Sequence, residues 1–213
     1  IEVLERVHEL AKPEDVIYEA IGYCYEKLKQ PALARLQYRK ASHLRKDDSR
    51  LMYKIACTYF SEGQWSAAYK QIEVALRIIR GEFDYQLLAG QCCEQLERIQ
   101  EAVEHFVMAV QLKPKKMGGW DALIRCLLEA EAWEDALKQI DLALQATKGK
   151  ALFLYYRAAV LFGATRNQEA LKQLEVALIK DPKQVRKFIS LIPSVLQQVQ
   201  VVDLLARFKR KKR

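Results

Sequence analysis

Long hydrophobic runs are missing from this sequence: nowhere do about 18 apolar residues follow one another, so no segment reads as a membrane-spanning helix. Histidine is scarce, and His8, His43 and His105 lie far apart with no cysteine or carboxylate partner at metal-ligand spacing. Glycine is limited to eight residues and proline to five. No glycine-rich phosphate loop, Ser-His-Asp constellation or alternating strand pattern occurs, so no nucleotide cradle or catalytic triad is offered. The expectation is a chain that is not an enzyme and carries no cofactor or metal. Cysteine is odd in number, with Cys24, Cys57, Cys92, Cys93 and Cys126. Neighbouring Cys92 and Cys93 project about 100° apart on a helix and cannot chelate as a C-x-x-C pair does. Free, packed thiols belong in a reducing compartment, which points to the cytoplasm. The first residue is Ile1 rather than Met, which leaves an amino-terminal targeting segment open.

Acidic charge falls short of basic, 27 residues against 35, for a net charge of +8. Six of the basic residues are Arg207, Lys209, Arg210, Lys211, Lys212 and Arg213, so residues 1–206 carry only +2. Such a run reads as a solvated, mobile tail, with contact to nucleic acid or an acidic membrane as the alternative. A nucleic-acid partner is expected only through this tail.

What is present is a period. Residues 15–184 divide into five blocks of 34 without insertion or deletion: 15–48, 49–82, 83–116, 117–150 and 151–184. The twentieth position reads Ala34, Ala68, Ala102, Ala136 and Ala170, and the twenty-seventh Ala41, Ala75, Ala109, Ala143 and Ala177. The eighth reads Gly22, Ala56, Gly90, Ile124 and Ala158, and the twenty-fourth Tyr38, Ile72, Phe106, Ile140 and Leu174. Short side chains at fixed spacing let two antiparallel helices per block approach closely, and the eighth position is expected to face the twentieth. Turns are expected near residues 29–31, 62–64, 96–99, 130–132 and 164–167, with Gly63 and Asn167 supplying permissive backbone.

Residues 1–14 read as the second helix of a preceding partial repeat, with Leu4 and Val7 in register, and the chain as a piece of a longer array. Residues 185–213 read as degenerate capping helices, near 183–192 and 199–209, that end in the basic tail. The whole counts as one domain.

The pattern of Gly90, Ala102, Phe106, Ala109 and Pro114 in the third block resembles the tetratricopeptide repeat (TPR) family, although Gln86 stands where an aromatic is usual. The resemblance implies an all-α, right-handed superhelical solenoid of helix-turn-helix repeats. It also implies a protein or peptide partner held in the concave groove, with array ends offering surfaces for self-association. Carried over position by position, the groove residues are Tyr23, Tyr53, Phe60, Leu87, Gln91, Arg125, Leu128 and Tyr155. The Lys and Asn clamp by which some members hold acidic carboxyl-terminal tails is absent, since Glu19, Tyr23 and Lys54 occupy its positions. A mixed aromatic and charged lining suits a peptide anchored by apolar side chains. Two other readings stand beside this one: a nucleic-acid adaptor using the tail, and the recruiting arm of a larger enzyme.

Overall fold

The structure, a computed structural model, describes residues 15–210. The partial repeat expected over residues 1–14 lies outside them, as do Lys211, Lys212 and Arg213. All described regular structure is helical. Ten helices form five pairs: α1 (Asp15–Lys27) with α2 (Pro31–Leu44), α3 (Ser49–Ser61) with α4 (Trp65–Ile78), and α5 (Phe83–Gln95) with α6 (Ile99–Leu112). Then come α7 (Met117–Glu129) with α8 (Trp133–Ala146) and α9 (Ala151–Gly163) with α10 (Asn167–Lys180). A 3-10 turn at Pro182–Gln184 leads into α11 (Val185–Leu191), a second 3-10 segment at Pro193–Gln197 and α12 (Val199–Arg210). In every block the first helix takes positions 1–13 and the second positions 17–30.

Each first helix ends the same way. The residue at position 15 is left-handed in all five blocks, with φ of 56° at Lys29, 72° at Gly63, 58° at Glu97, 53° at Glu131 and 61° at Thr165. This reversal lets the position-16 amide donate to the position-11 carbonyl, as in Gln30 to Tyr25 at 2.9 Å and Arg166 to Leu161 at 2.9 Å. The pattern is a Schellman motif, which satisfies carbonyls that the helix end would orphan. Asn167, expected to supply the permissive backbone, instead opens α10, and the left-handed role falls to Thr165. A β-branched residue is strained there. Replacing exposed Thr165 with Gly is expected to raise stability by about 1 kcal/mol, and Gly63→Thr to lower it comparably; urea midpoints check both.

The ten alanines are fully buried. In the two blocks where position eight is glycine, the side chain nearest to it belongs to position 24. A Cβ added to Gly22 would lie 2.6 Å from the Tyr38 ring, and one added to Gly90 would lie 2.5 Å from the Phe106 ring. Where position eight is Ala56, Ala158 or Ile124, position 24 is aliphatic: Ile72, Leu174 or Ile140. A missing side chain on one helix is therefore filled by a ring from the other, because the interior is packed to near-crystal density.

The Gln86 departure has a local reason. Its buried side chain donates from Nε2 to the Arg80 carbonyl at 3.0 Å, and its Oε1 sits 2.7 Å from His105 Nδ1. Gln86 Oε1 can only accept, so Nδ1 carries the proton and Nε2 faces the Tyr69 hydroxyl at 3.5 Å. A polar pair thus replaces an aromatic contact between α5 and α6.

Where one domain is expected from the sequence, the packing divides the chain into two compact units, Ile1–Leu112 and Lys113–Arg213. Unit one holds the first three helix pairs. Unit two holds the last two pairs and the cap, and its central element is α9, buried nearly all round with Phe153, Tyr155, Tyr156 and Ala159 fully enclosed. The cap supplies Phe188, Val195 and Val201 to the same core.

Candidate functional site

The family resemblance implies that side chains at positions 2, 5, 6, 9, 12 and 13 of the first helices face a ligand. In unit one, much of this set is engaged internally. Glu19 accepts from Lys54 Nζ at 2.7 Å and pairs with Arg45, which also meets Asp15 at 2.6 Å and Asp48 at 2.9 Å. Burial pushes the Glu19 carboxyl up, but the hydrogen bonds and charges of Lys54 and Arg45 win and hold it below the usual carboxylate range. Position five of one repeat is thereby tied to position six of the next. Unit two repeats the device with different chemistry: Tyr156 donates to Asp121 at 2.6 Å, and Lys187 of α11 pairs with the same carboxylate.

The expected groove residues sort unevenly. Tyr23 is 50% exposed, with the Lys27 ammonium 5.0 Å from its ring centre. Tyr53 is half-buried and stacks on Tyr85 at 5.1 Å, while Phe60 packs edge-on against Trp65 at 4.7 Å. Leu87 and Gln91 are partly exposed on α5. Tyr155 is a correction: it is fully buried, with its hydroxyl donating to the Asp181 carbonyl at 2.9 Å and its ring 6.0 Å from that of Phe188. The cap covers the face that an uncapped repeat would leave open. The basic run is corrected in part, since its residues 207–210 belong to α12 rather than to a mobile tail. Exposed Arg207 in that last turn complements the negative end of the helix dipole.

Two cavities open beside first helices. In unit one, about 320 Å³ opens beside Glu26, Cys57 and Ser61. Its thiol is a poor nucleophile, because burial pushes Cys57 up to about 11. In unit two, about 500 Å³ opens between α7 and α11. Arg125 and Leu128 line it together with Glu129, Trp133, Gly163, Lys187, Ser190, Leu191 and Ile192. The cap residues among these were invisible to repeat counting because they lie after residue 184. The available signal was Phe188, which stands at position four of an incomplete sixth block. Trp133 lies against Gly163, where an added Cβ would meet the indole at 2.6 Å, so the glycine is required by contact rather than by backbone angle.

His105 supplies a pH handle on unit one. Burial lowers its pKa, although Glu101 and Glu104 oppose the shift. The folded chain therefore binds this proton less readily than the unfolded chain, so the contribution is complete above about pH 6.5 and is lost as pH falls below it. Between pH 7.5 and 5.5 the urea midpoint is expected to fall, and to fall less in His105→Gln.

The helix-pair geometry agrees with comparison to known proteins. A family model described as Tetratricopeptide repeat matches residues 16–48, and one described as Anaphase-promoting complex, cyclosome, subunit 3 matches residues 33–109. The crystal structure of MamA protein superposes with a TM-score of 0.72 at 16% identity, covering 81% of this chain and 94% of that one. YrrB, described as a TPR protein with an unusual peptide-binding site, gives 0.69 at 20% identity, over 85% of this chain and 94% of that one. The chain carries tetratricopeptide repeats. Among curated relatives, this TPR chain is 25% identical to Anaphase-promoting complex subunit 7 of Mus musculus over 134 residues, and equally to that of Homo sapiens. The match spans 62% of this TPR chain but only 24% of those subunits' length. Within the described residues of the TPR repeats, no group of His, Cys, Asp and Glu is placed to hold a metal ion, and no helix is long and apolar enough to cross a membrane.

Proposed function

We propose that this TPR protein is a non-catalytic protein-interaction scaffold whose inner face in unit two seats an extended peptide of a partner between α7 and α11. The observation that carries the reading is the cavity of about 500 Å³ there. Leu128, Trp133, Leu191 and Ile192 offer an apolar seat for one anchoring side chain, while Arg125, Lys187 and Glu129 bring charge of both signs to its rim. Such a mixture fixes a peptide by burial and orients it by polar contacts. Helices α7 and α9 hold the seat before any ligand arrives, so little order is lost on the scaffold's side. The description of YrrB supports a peptide as the ligand class. The likeness to subunits of the anaphase-promoting complex supports a scaffold that works inside a multi-subunit assembly. A binding role also fits the thiols, since burial pushes Cys92 up to about 12 and leaves it unreactive. Five free cysteines suit the cytoplasm.

The test is a peptide-display selection on the full chain, followed by affinity measurement. Leu128→Glu, which places a charge in the seat, is expected to weaken the selected peptide at least about tenfold, while Lys138→Ala on α8 leaves it unchanged. Ser190→Arg fills the same cavity from an exposed position and decides the matter if Leu128→Glu fails to fold. Wild-type affinity in both variants overturns the assignment.

A further inference from the structure

Unit two carries a second concavity of different character, on the cap rather than the inner face. A groove of about 610 Å³ runs between the end of α10, α11 and α12. Its floor is apolar, with Leu178, Val185, Ile189, Leu205 and Phe208, and at its edge Leu196 and Val202 are each 45% exposed. The charged side chains in its lining are Lys183 and Arg186, both exposed and both cationic. No acidic side chain is among its lining residues: Asp181, beside Lys183, is turned to the Lys183 amide at 3.0 Å, and Glu175 and Asp203 line a separate depression with Lys172 and Arg207. The surrounding field has the same sign, since residues 113–213 contain 20 Lys and Arg against ten Asp and Glu, whereas residues 1–112 contain 15 against 17.

We infer that this groove docks an acidic amphipathic segment of a partner protein, with apolar side chains at helical spacing entering the groove and flanking carboxylates meeting Lys183 and Arg186. The recess selects inserted side chains over a flat bilayer, and the cationic rim selects acidic flanks. A second copy is disfavoured by the same charges, because it would bring another basic α12 against a basic rim. The site shares no lining residue with the inner-face seat, so either assignment can fail without the other.

The experiment measures fluorescence anisotropy of a labelled synthetic helix with Leu at i, i+3, i+4 and i+7 and Glu elsewhere, titrated with the full chain. Saturable binding is expected, weakened at least about tenfold by Val202→Asp, weakened by the exposed-site variant Lys183→Glu/Arg186→Glu, reduced by added salt and unaffected by Leu128→Glu. The same helix with Lys in place of Glu is expected not to bind. Thermal melts confirm that the variants fold, and Lys183→Glu/Arg186→Glu decides if Val202→Asp does not. No saturable binding, equal binding of the Lys helix, or indifference to both groove variants overturns the inference. So does a dimer in sedimentation velocity that Val202→Asp abolishes, which assigns the groove to a second copy. Co-sedimentation with phosphatidylserine-containing vesicles that the same variant abolishes, without helix binding, assigns it to a membrane.

Discussion

Phe188→Ala is expected to cost unit two about 3–5 kcal/mol, the range for truncating an enclosed aromatic side chain. The ring is fully buried, 6.0 Å from Tyr155 and 6.1 Å from Phe162 between ring centres, and α11 has only seven residues with which to hold its place. Removing it leaves a cavity under the cap and loosens the covering that buries Tyr155. Phe188→Leu retains most of the volume and is expected to recover more than half of the loss. Urea denaturation followed by circular dichroism reads both, with Val202→Ala as an exposed control on α12. A loss of under about 1 kcal/mol, the scale of a surface change, would mean that the cap contributes little.

Gly90→Ala is the second large effect. Its new methyl would sit 2.5 Å from the Phe106 ring, which is itself fully buried and has no room to retreat. Overpacking of this kind costs about 1–3 kcal/mol, and the upper half of that range is expected because the obstacle is a rigid ring. Phe106→Leu should rescue it, since blocks two and five already pair Ala with Ile72 or Leu174. The double variant is expected to be more stable than Gly90→Ala alone, with a coupling energy above about 1 kcal/mol. Additive losses would show that the two positions do not share one space.

Much of the fold could be read from alanine alone. Ala34 and Ala170, 136 residues apart, sit at one register position, and both are fully buried. Position eight was harder, because spacing says only that a small residue permits close approach and not which side chain fills the gap. The left-handed residue at position 15 was legible only at Gly63. Lys29, Glu97, Glu131 and Thr165 adopt the same angle because the Schellman bonds and the packing of both helices compel it, against their own preference. The inner face was the least legible. Repeat counting marks Glu19 and Lys54 as facing a ligand, yet they face each other across a repeat boundary. Tyr155 has the right position number but lies beneath a cap whose irregular sequence carries no period. Arg125 and Leu128 line the cavity between α7 and α11.

Hydrogen–deuterium exchange on the full chain, with and without the peptide selected for it, tests the inner-face seat most directly. Slowed exchange at residues 125–129 and 187–192, with residues 137–146 and 167–180 of the second helices unchanged, is the predicted result. Slowing confined to those second helices, or to residues 196–208, would contradict it.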